Sequence, residues 1–216
     1  MTRVKVCGIT RLEDALMAAE EGASAIGFIF WPDSPRAVGP SDARAIARAL
    51  PPRVSTIGVF VDQPLDDIRR IADTVQLSAI QLHGDESLSY AQAILQPVIK
   101  AVAITEAFAP ERLDVYPPEV TVLLDAHDPV RRGGTGRTID WSLAAAAAAR
   151  RHVFLSGGLN PANIQEAVTR VRPYAVDLSS GVEASPGVKD PAKLRALFDA
   201  LRRTPGYLTA ESANNG

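Results

Sequence analysis

One cysteine, three histidines and 6% aromatic residues are all that this 216-residue chain holds of the side chains most used for cross-links, metals and stacking surfaces. With Cys7 alone, no intrachain disulfide can form, and secretion is not implied. His83 has no Cys, Asp or Glu cluster at metal-ligand spacing around it, so no metal is expected. No stretch of ~18 apolar residues is present. The start, from Met1 through Arg3 and Lys5 into a short strand, lacks the apolar centre of a signal peptide. A cytoplasmic protein, away from the membrane, is the default expectation. Net charge is also scarce, at −2 with a pI near 5.9, which excludes global attraction to nucleic acid or anionic lipid. Any anionic partner must be gripped locally.

What the chain does have is repetition. Hydrophobic residues make up 46% and charged residues 22%, ordinary for a globular protein. Short β-branched runs alternate with amphipathic helices. Strands are expected at Val4–Cys7, Ala25–Phe30, Thr56–Val61, Ala79–Leu82, Val98–Ala103, Val120–Leu124, Val153–Leu155 and up to Leu178. Between them, Thr10 and Glu13 form a capping-box pattern ahead of Leu12, Leu16 and Ala19, with Gly22 as the stop. Further helices are expected from Ser41 to about Leu50, after Pro64, from Glu86 to Leu95, near Ala109–Leu113, from Trp141 through six alanines, after Asn160-Pro161, and over Pro191–Arg203. Eight such units require a parallel sheet, and fully apolar strands imply a sheet covered on both faces. A doubly wound open sheet satisfies the same pattern. Polar residues gathered just after the strands favour closure into a single (β/α)8 TIM barrel over residues 1–203, with 204–216 as a frayed tail.

Two stretches mark where an anion would sit. An apolar run ends at Leu155 before Ser156-Gly157-Gly158, and another ends at Leu178 before Ser179-Ser180-Gly181. Small residues let backbone N–H groups approach a ligand closely, and a barrel often grips phosphate with its loops after strands seven and eight. Gly157, Gly158, Ser180 and Gly181 are therefore the candidate phosphate-binding residues. Because barrel chemistry gathers at the carboxyl ends of the strands, Cys7, Arg36, His83, Asp125 and Asp177 are the other candidates. Four of these have a plainer reading. Cys7 could be a small buried hydrophobe, and Asp125 a cap or a partner of Arg131 or Arg132. Arg36, in a stiff loop with three prolines, could grip a carboxylate bidentately or simply be solvated. His83 could be a base or a structural hydrogen-bonding residue.

In their order, Lys5-Val-Cys-Gly-Ile-Thr-Arg11, Ser34-Pro-Arg36, Gln81-Leu-His-Gly-Asp85, Leu124-Asp125 with Gly133-Gly-Thr-Gly136, Ser156-Gly-Gly-Leu-Asn160 and Asp177 to Lys189 resemble the phosphoribosylanthranilate isomerases. The resemblance extends to about Arg203. It implies a (β/α)8 barrel that carries out an Amadori rearrangement of a phosphosugar substrate in tryptophan biosynthesis, without a cofactor. It also implies roles: Asp125 as general acid, Cys7 as general base, Arg36 on the anthranilate carboxylate, Asp177 on the ribose, and the glycine turns on the phosphate. Those chemical roles demand a Cys7 thiol favoured as thiolate and an Asp125 carboxyl kept protonated. The related histidine-pathway isomerase is the nearest alternative, but it has an aspartate in place of Cys7 and needs a second phosphate grip. A non-catalytic phosphosugar-binding barrel is another. A monomer is the default oligomeric state.

Overall fold

A computed structural model describes residues 2–105, 107–126 and 140–204. Eight strands close into a parallel barrel in sequence order: β1 (Arg3–Cys7), β2 (Ala25–Ile29), β3 (Ser55–Phe60), β4 (Ala79–Leu82), β5 (Val98–Ile104), β6 (Val120–Ala126), β7 (Val153–Leu155) and β8 (Ala175–Leu178). Closure is made by β1, which pairs with β2 at Lys5–Ala25 and with β8 at Lys5–Asp177. The open sheet is thereby excluded.

The helices follow the 3.6-residue period. They are α1 (Leu12–Glu21), α2 (Pro40–Ala49), α3 (Leu65–Val75), α4 (Leu88–Gln92), α5 (Trp141–Arg150), α6 (Ile164–Val171) and α7 (Pro191–Arg202). In α3, Ile68, Ile71, Ala72 and Val75 are buried, the i, i+3, i+4, i+7 stripe that packs a helix on a sheet. Gly22 ends α1 in the left-handed conformation, as expected of a glycine after the last turn. Asp190 caps α7 by accepting from the Ala192 and Lys193 amides, with Pro191 following at the first helical position.

Several local expectations fail for identifiable reasons. Thr10 does not cap α1: its hydroxyl donates to Gly187 O at 2.6 Å, and Arg11 takes the cap position. Glu13 pairs with Arg11 instead of reaching back to the helix start. The helix expected over Glu86–Leu95 shrinks to α4, because Glu86 accepts from the Asp62 and Gly84 amides and from Lys100, and Ser87 becomes the cap. The helix after Asn160-Pro161 begins only at Ile164. Asp125 lies within β6, paired with Ala103, and does not follow the strand. Nor are the strands fully apolar, since Lys5, Gln81, Lys100 and Asp177 are buried on them. Thr204, assigned to the tail, is buried and its hydroxyl donates to Ala200 O. Residues 205–216, the glycine loop at 133–136 and Arg131 and Arg132 lie outside the described residues.

After β8 the chain makes one 3-10 turn (Ser180–Val182) and then a small hairpin, β9 (Glu183–Ser185) with β10 (Val188–Lys189). This hairpin lies under the first βα loop. Lys189 N donates to Asp14 and Lys189 Nζ to Cys7 O at 2.6 Å.

Candidate active site

A cavity of about 480 Å³ opens at the carboxyl ends of the strands, lined among others by Cys7, Arg36, His83, Asp125 and Asp177. All five rim candidates thus meet in one place. The four candidate phosphate residues do not line it directly. They lie beside it, reached through Ser156 and Ser179, which do. The two glycine turns are in contact: a Cβ on Gly181 would sit 1.9 Å from Leu159 O, so only glycine lets the loops after β7 and β8 approach this closely. Gly157 and Gly158 have φ of 90° and 62°, a region glycine enters without strain. Among the described residues, no hydrogen bond occupies the backbone amides of Gly157, Gly158, Ser180 or Gly181.

Cys7 projects from β1 above Gly27, whose missing side chain makes room for it: a Cβ there would meet Sγ at 2.8 Å. Lys5, two residues earlier on the same strand face, stands beneath. Its ammonium is 1% exposed and donates to both Asp177 oxygens at 2.9 Å and to Gln81 Oε1 at 2.8 Å, and its charge acts on the Cys7 thiol. Burial alone would drive the Lys5 ammonium down, but Asp177 and Cys7 hold it above the ordinary lysine value. Burial also pushes the Cys7 thiol up, and this outweighs the opposing Lys5 charge. The ligand-free protein therefore keeps Cys7 protonated, contrary to the thiolate that the base role demands.

Asp125 shows the opposite balance. Burial would raise its carboxyl, but hydrogen bonding, with His83 foremost, outweighs burial and brings it below the ordinary 3.8. His83 Nε2 lies 3.2 Å from Asp125 Oδ2. Asp125 is thus ionised when the cavity is empty, again the reverse of the role expected. Its described partner is His83, on β4's rim.

Arg36 is not solvated. Glu183, from β9, holds its guanidinium through three contacts of 2.8 to 3.1 Å. Burial would raise the Glu183 carboxyl, but Arg36 and Lys189 bring it below the ordinary 4.5, so it stays ionised. Lys189 Nζ, fully buried, binds the same carboxylate at 2.8 Å. Lys5, Gln81, Glu183 and Lys189 are the site residues that the motif reading passed over. A signal existed for the first two, since Lys5 stands two positions before Cys7 and Gln81 two before His83, the spacing that shares one face of a strand. Among the described residues, no group of three or more His, Cys, Asp or Glu could hold a metal ion.

A closed eight-stranded barrel with a thiol, a carboxylate, an arginine and paired glycine turns at its carboxyl mouth belongs to the (β/α)8-barrel enzymes. Residues 4–200 match the family model described as N-(5'phosphoribosyl)anthranilate (PRA) isomerase. The chain is 50% identical over 203 residues to the N-(5'-phosphoribosyl)anthranilate isomerase of Citrifermentans bemidjiense, covering 94% of this chain and 98% of that one. The crystal structure of phosphoribosyl anthranilate isomerase from Thermus thermophilus is 45% identical, with a TM-score of 0.86 over 93% of this chain and 98% of that one. A further phosphoribosyl anthranilate isomerase, solved in complex with reduced 1-(o-carboxyphenylamino)-1-deoxyribulose 5-phosphate, is 45% identical over the same shares with a TM-score of 0.82. The chain belongs to the N-(5'-phosphoribosyl)anthranilate isomerase family.

Proposed function

We propose that this chain converts N-(5-phosphoribosyl)anthranilate to 1-(2-carboxyphenylamino)-1-deoxyribulose 5-phosphate, an Amadori rearrangement of tryptophan biosynthesis. The observation that carries the reading is the convergence of Cys7 and Asp125 on one cavity from strands three apart around the barrel. Binding alone needs neither group. Asp125 gives a proton to the furanose ring oxygen, the ring C–O bond breaks, and the nitrogen lone pair forms the iminium. Cys7 thiolate takes the proton from the adjacent carbon, whose electrons neutralise the iminium and leave an enolamine. That enolamine tautomerises to the ketone. The sequence moves only protons.

The ligand-free protonation states fit this chemistry in an inverted form. Cys7 and Asp125 together hold one proton, as the reaction needs, but it rests on the thiol. An anionic substrate beside Asp125 raises the affinity of that carboxylate for a proton, the direction the acid role requires. Arg36, already aimed by Glu183, offers its guanidinium to the anthranilate carboxylate. Asp177, which lines the cavity while pinned by Lys5, faces the ribose hydroxyls. The amides of Gly157, Gly158, Ser180 and Gly181 hold the phosphate.

The test is turnover of freshly generated phosphoribosylanthranilate, followed by loss of anthranilate fluorescence, for wild type, Cys7→Ala and Asp125→Asn. Positioned proton transfer is worth about 10² to 10⁴ in rate, so each variant should lose at least ~10² in kcat while still binding a reduced product analogue. Analogue binding without turnover by the wild type would point to a binding module. Activity retained in Cys7→Ala alone would move the base to His83.

A further inference from the structure

Two polar side chains on the barrel floor, Lys5 and Gln81, are each 1% exposed and have no part in the chemistry just described. A buried lysine and glutamine are tolerated only where their polar atoms find partners. Here the partners form an ordered chain. Lys5 Nζ reaches Gln81 Oε1 at 2.8 Å, Gln81 Nε2 reaches His83 Nδ1 at 2.9 Å, and His83 Nε2 reaches Asp125 Oδ2 at 3.2 Å.

The direction of each bond follows from the inventory of donors. An ammonium only donates, so the Gln81 atom facing Lys5 must be the carbonyl oxygen. The Gln81 amide nitrogen, which only donates, then faces His83 Nδ1. That ring nitrogen must accept, which leaves the imidazole proton on Nε2, aimed at Asp125. Lys5 is itself locked by Asp177, so the amide has no alternative orientation of equal energy.

We infer that Lys5 and Gln81 are positioning residues for Asp125: they hold His83 in the tautomer that donates to the Asp125 carboxylate. The inference rests on the isomerase reading for the role of Asp125. Its consequence is that Oδ2 accepts the His83 N–H, which favours Oδ1 as the oxygen that carries the proton Asp125 delivers. Engaging one oxygen makes the two protonation sites of the carboxyl inequivalent. Lys5 Cε and Cys7 Sγ both flank the bare face of Gly27, so a single buried lysine adjoins Cys7 and, through Gln81 and His83, Asp125.

The experiment is long-range ¹H–¹⁵N correlation on the ring nitrogens of His83 in the intact chain at pH 7.5, assigned by the signals lost in His83→Gln. Kinetics of Gln81→Met and Gln81→Glu accompany it. In the wild type, Nδ1 should be unprotonated and Nε2 protonated. Gln81→Glu presents only acceptors to the ring, so Nδ1 should become protonated. Gln81→Met should release the ring into a mixture of tautomers. Both variants should lose at least about tenfold in kcat with KM within about threefold, the pattern of an interaction used in the transition state. A wild-type ring protonated on Nδ1 overturns the inference without any variant having to fold. So does a Gln81→Met enzyme that loses kcat while keeping a single Nε2–H tautomer, since glutamine would then act only through packing. A wild type with the expected tautomer but no turnover would instead remove the isomerase reading, and the positioning role with it.

Discussion

Because the chain has one cysteine, the protonation state of Cys7 can be read without interference. Burial holds its thiol above the ordinary value of 9.0, so the thiolate fraction in the ligand-free protein at pH 7.0 is below about 1%. The rate of alkylation by iodoacetamide, which follows the thiolate, should rise about tenfold per pH unit and not level off below pH 9.0. Lys5 is the chief charge opposing this. A positive charge beside a thiol favours the thiolate, so removing Lys5 takes away the main influence that holds the Cys7 thiol down. Asp177, on the other side of Lys5, acts in the contrary sense and reduces the net effect. Replacing the pair together, Lys5→Met with Asp177→Asn, avoids stranding a buried carboxylate. This double variant should alkylate at least ~10-fold more slowly at pH 8, with its far-UV circular dichroism unchanged. A wild-type rate that levels off near neutrality would refute the reasoning, because the thiol would then be activated before substrate arrives. So would a double variant that reacts as fast as wild type, because Lys5 would then not govern the thiol.

Three further outcomes follow from the same contacts. Gly181→Ala places a methyl against Leu159 O and must part the two glycine turns, so its affinity for inorganic phosphate by calorimetry should fall at least ~10-fold; unchanged affinity would separate phosphate binding from this loop contact. Glu183→Gln leaves the fully buried Lys189 with a neutral partner and loosens Arg36. At about 3 kcal/mol for a broken buried pair, Tm should drop by roughly 6–12 °C, and the carboxylate-bearing product analogue should bind more weakly. Asp125 and Glu183 both have folded-state values below their ordinary 3.8 and 4.5. Their contribution to stability is complete above those ordinary values and is lost as pH falls through the depressed ones. Tm should therefore decline below about pH 4.5, and less steeply in Asp125→Asn than in wild type.

The barrel could be read from the chain because its elements are short, regular and separated by glycine or proline. Ala79–Leu82 and Val153–Leu155 match strands β4 and β7 at both ends, and the other strands differ by a residue or two. Local rules failed where a side chain had a better partner far away in sequence. Thr10 abandons the helix start for Gly187, and Glu86 is drawn out of the helix by Lys100 and two loop amides. Site residues showed themselves when they stood at a strand's end beside a glycine, as Cys7 and His83 do. Lys5 and Gln81 were hidden because a lone polar residue within an apolar run reads as an edge or an exposed position. Only closure of the barrel, which faces Lys5 towards Asp177 and Gln81, gives them partners. The protonation states of Cys7 and Asp125 were not legible at all, because burial depth and the His83 contact are properties of the assembled mouth.

The contacts that complete the cavity join the two ends of the chain. Lys5 binds Asp177 across a separation of 172 residues, and Lys189 binds the Cys7 carbonyl across 182. During synthesis, Cys7 leaves the ribosome well before the β9–β10 hairpin, and its contact with Lys189 is absent until that hairpin has emerged. A nascent or prematurely terminated chain ending before Lys189 can form most of the strands and still carry an unassembled mouth. Completion of the mouth therefore waits on the β9–β10 hairpin, and a chain that lacks it lacks these contacts.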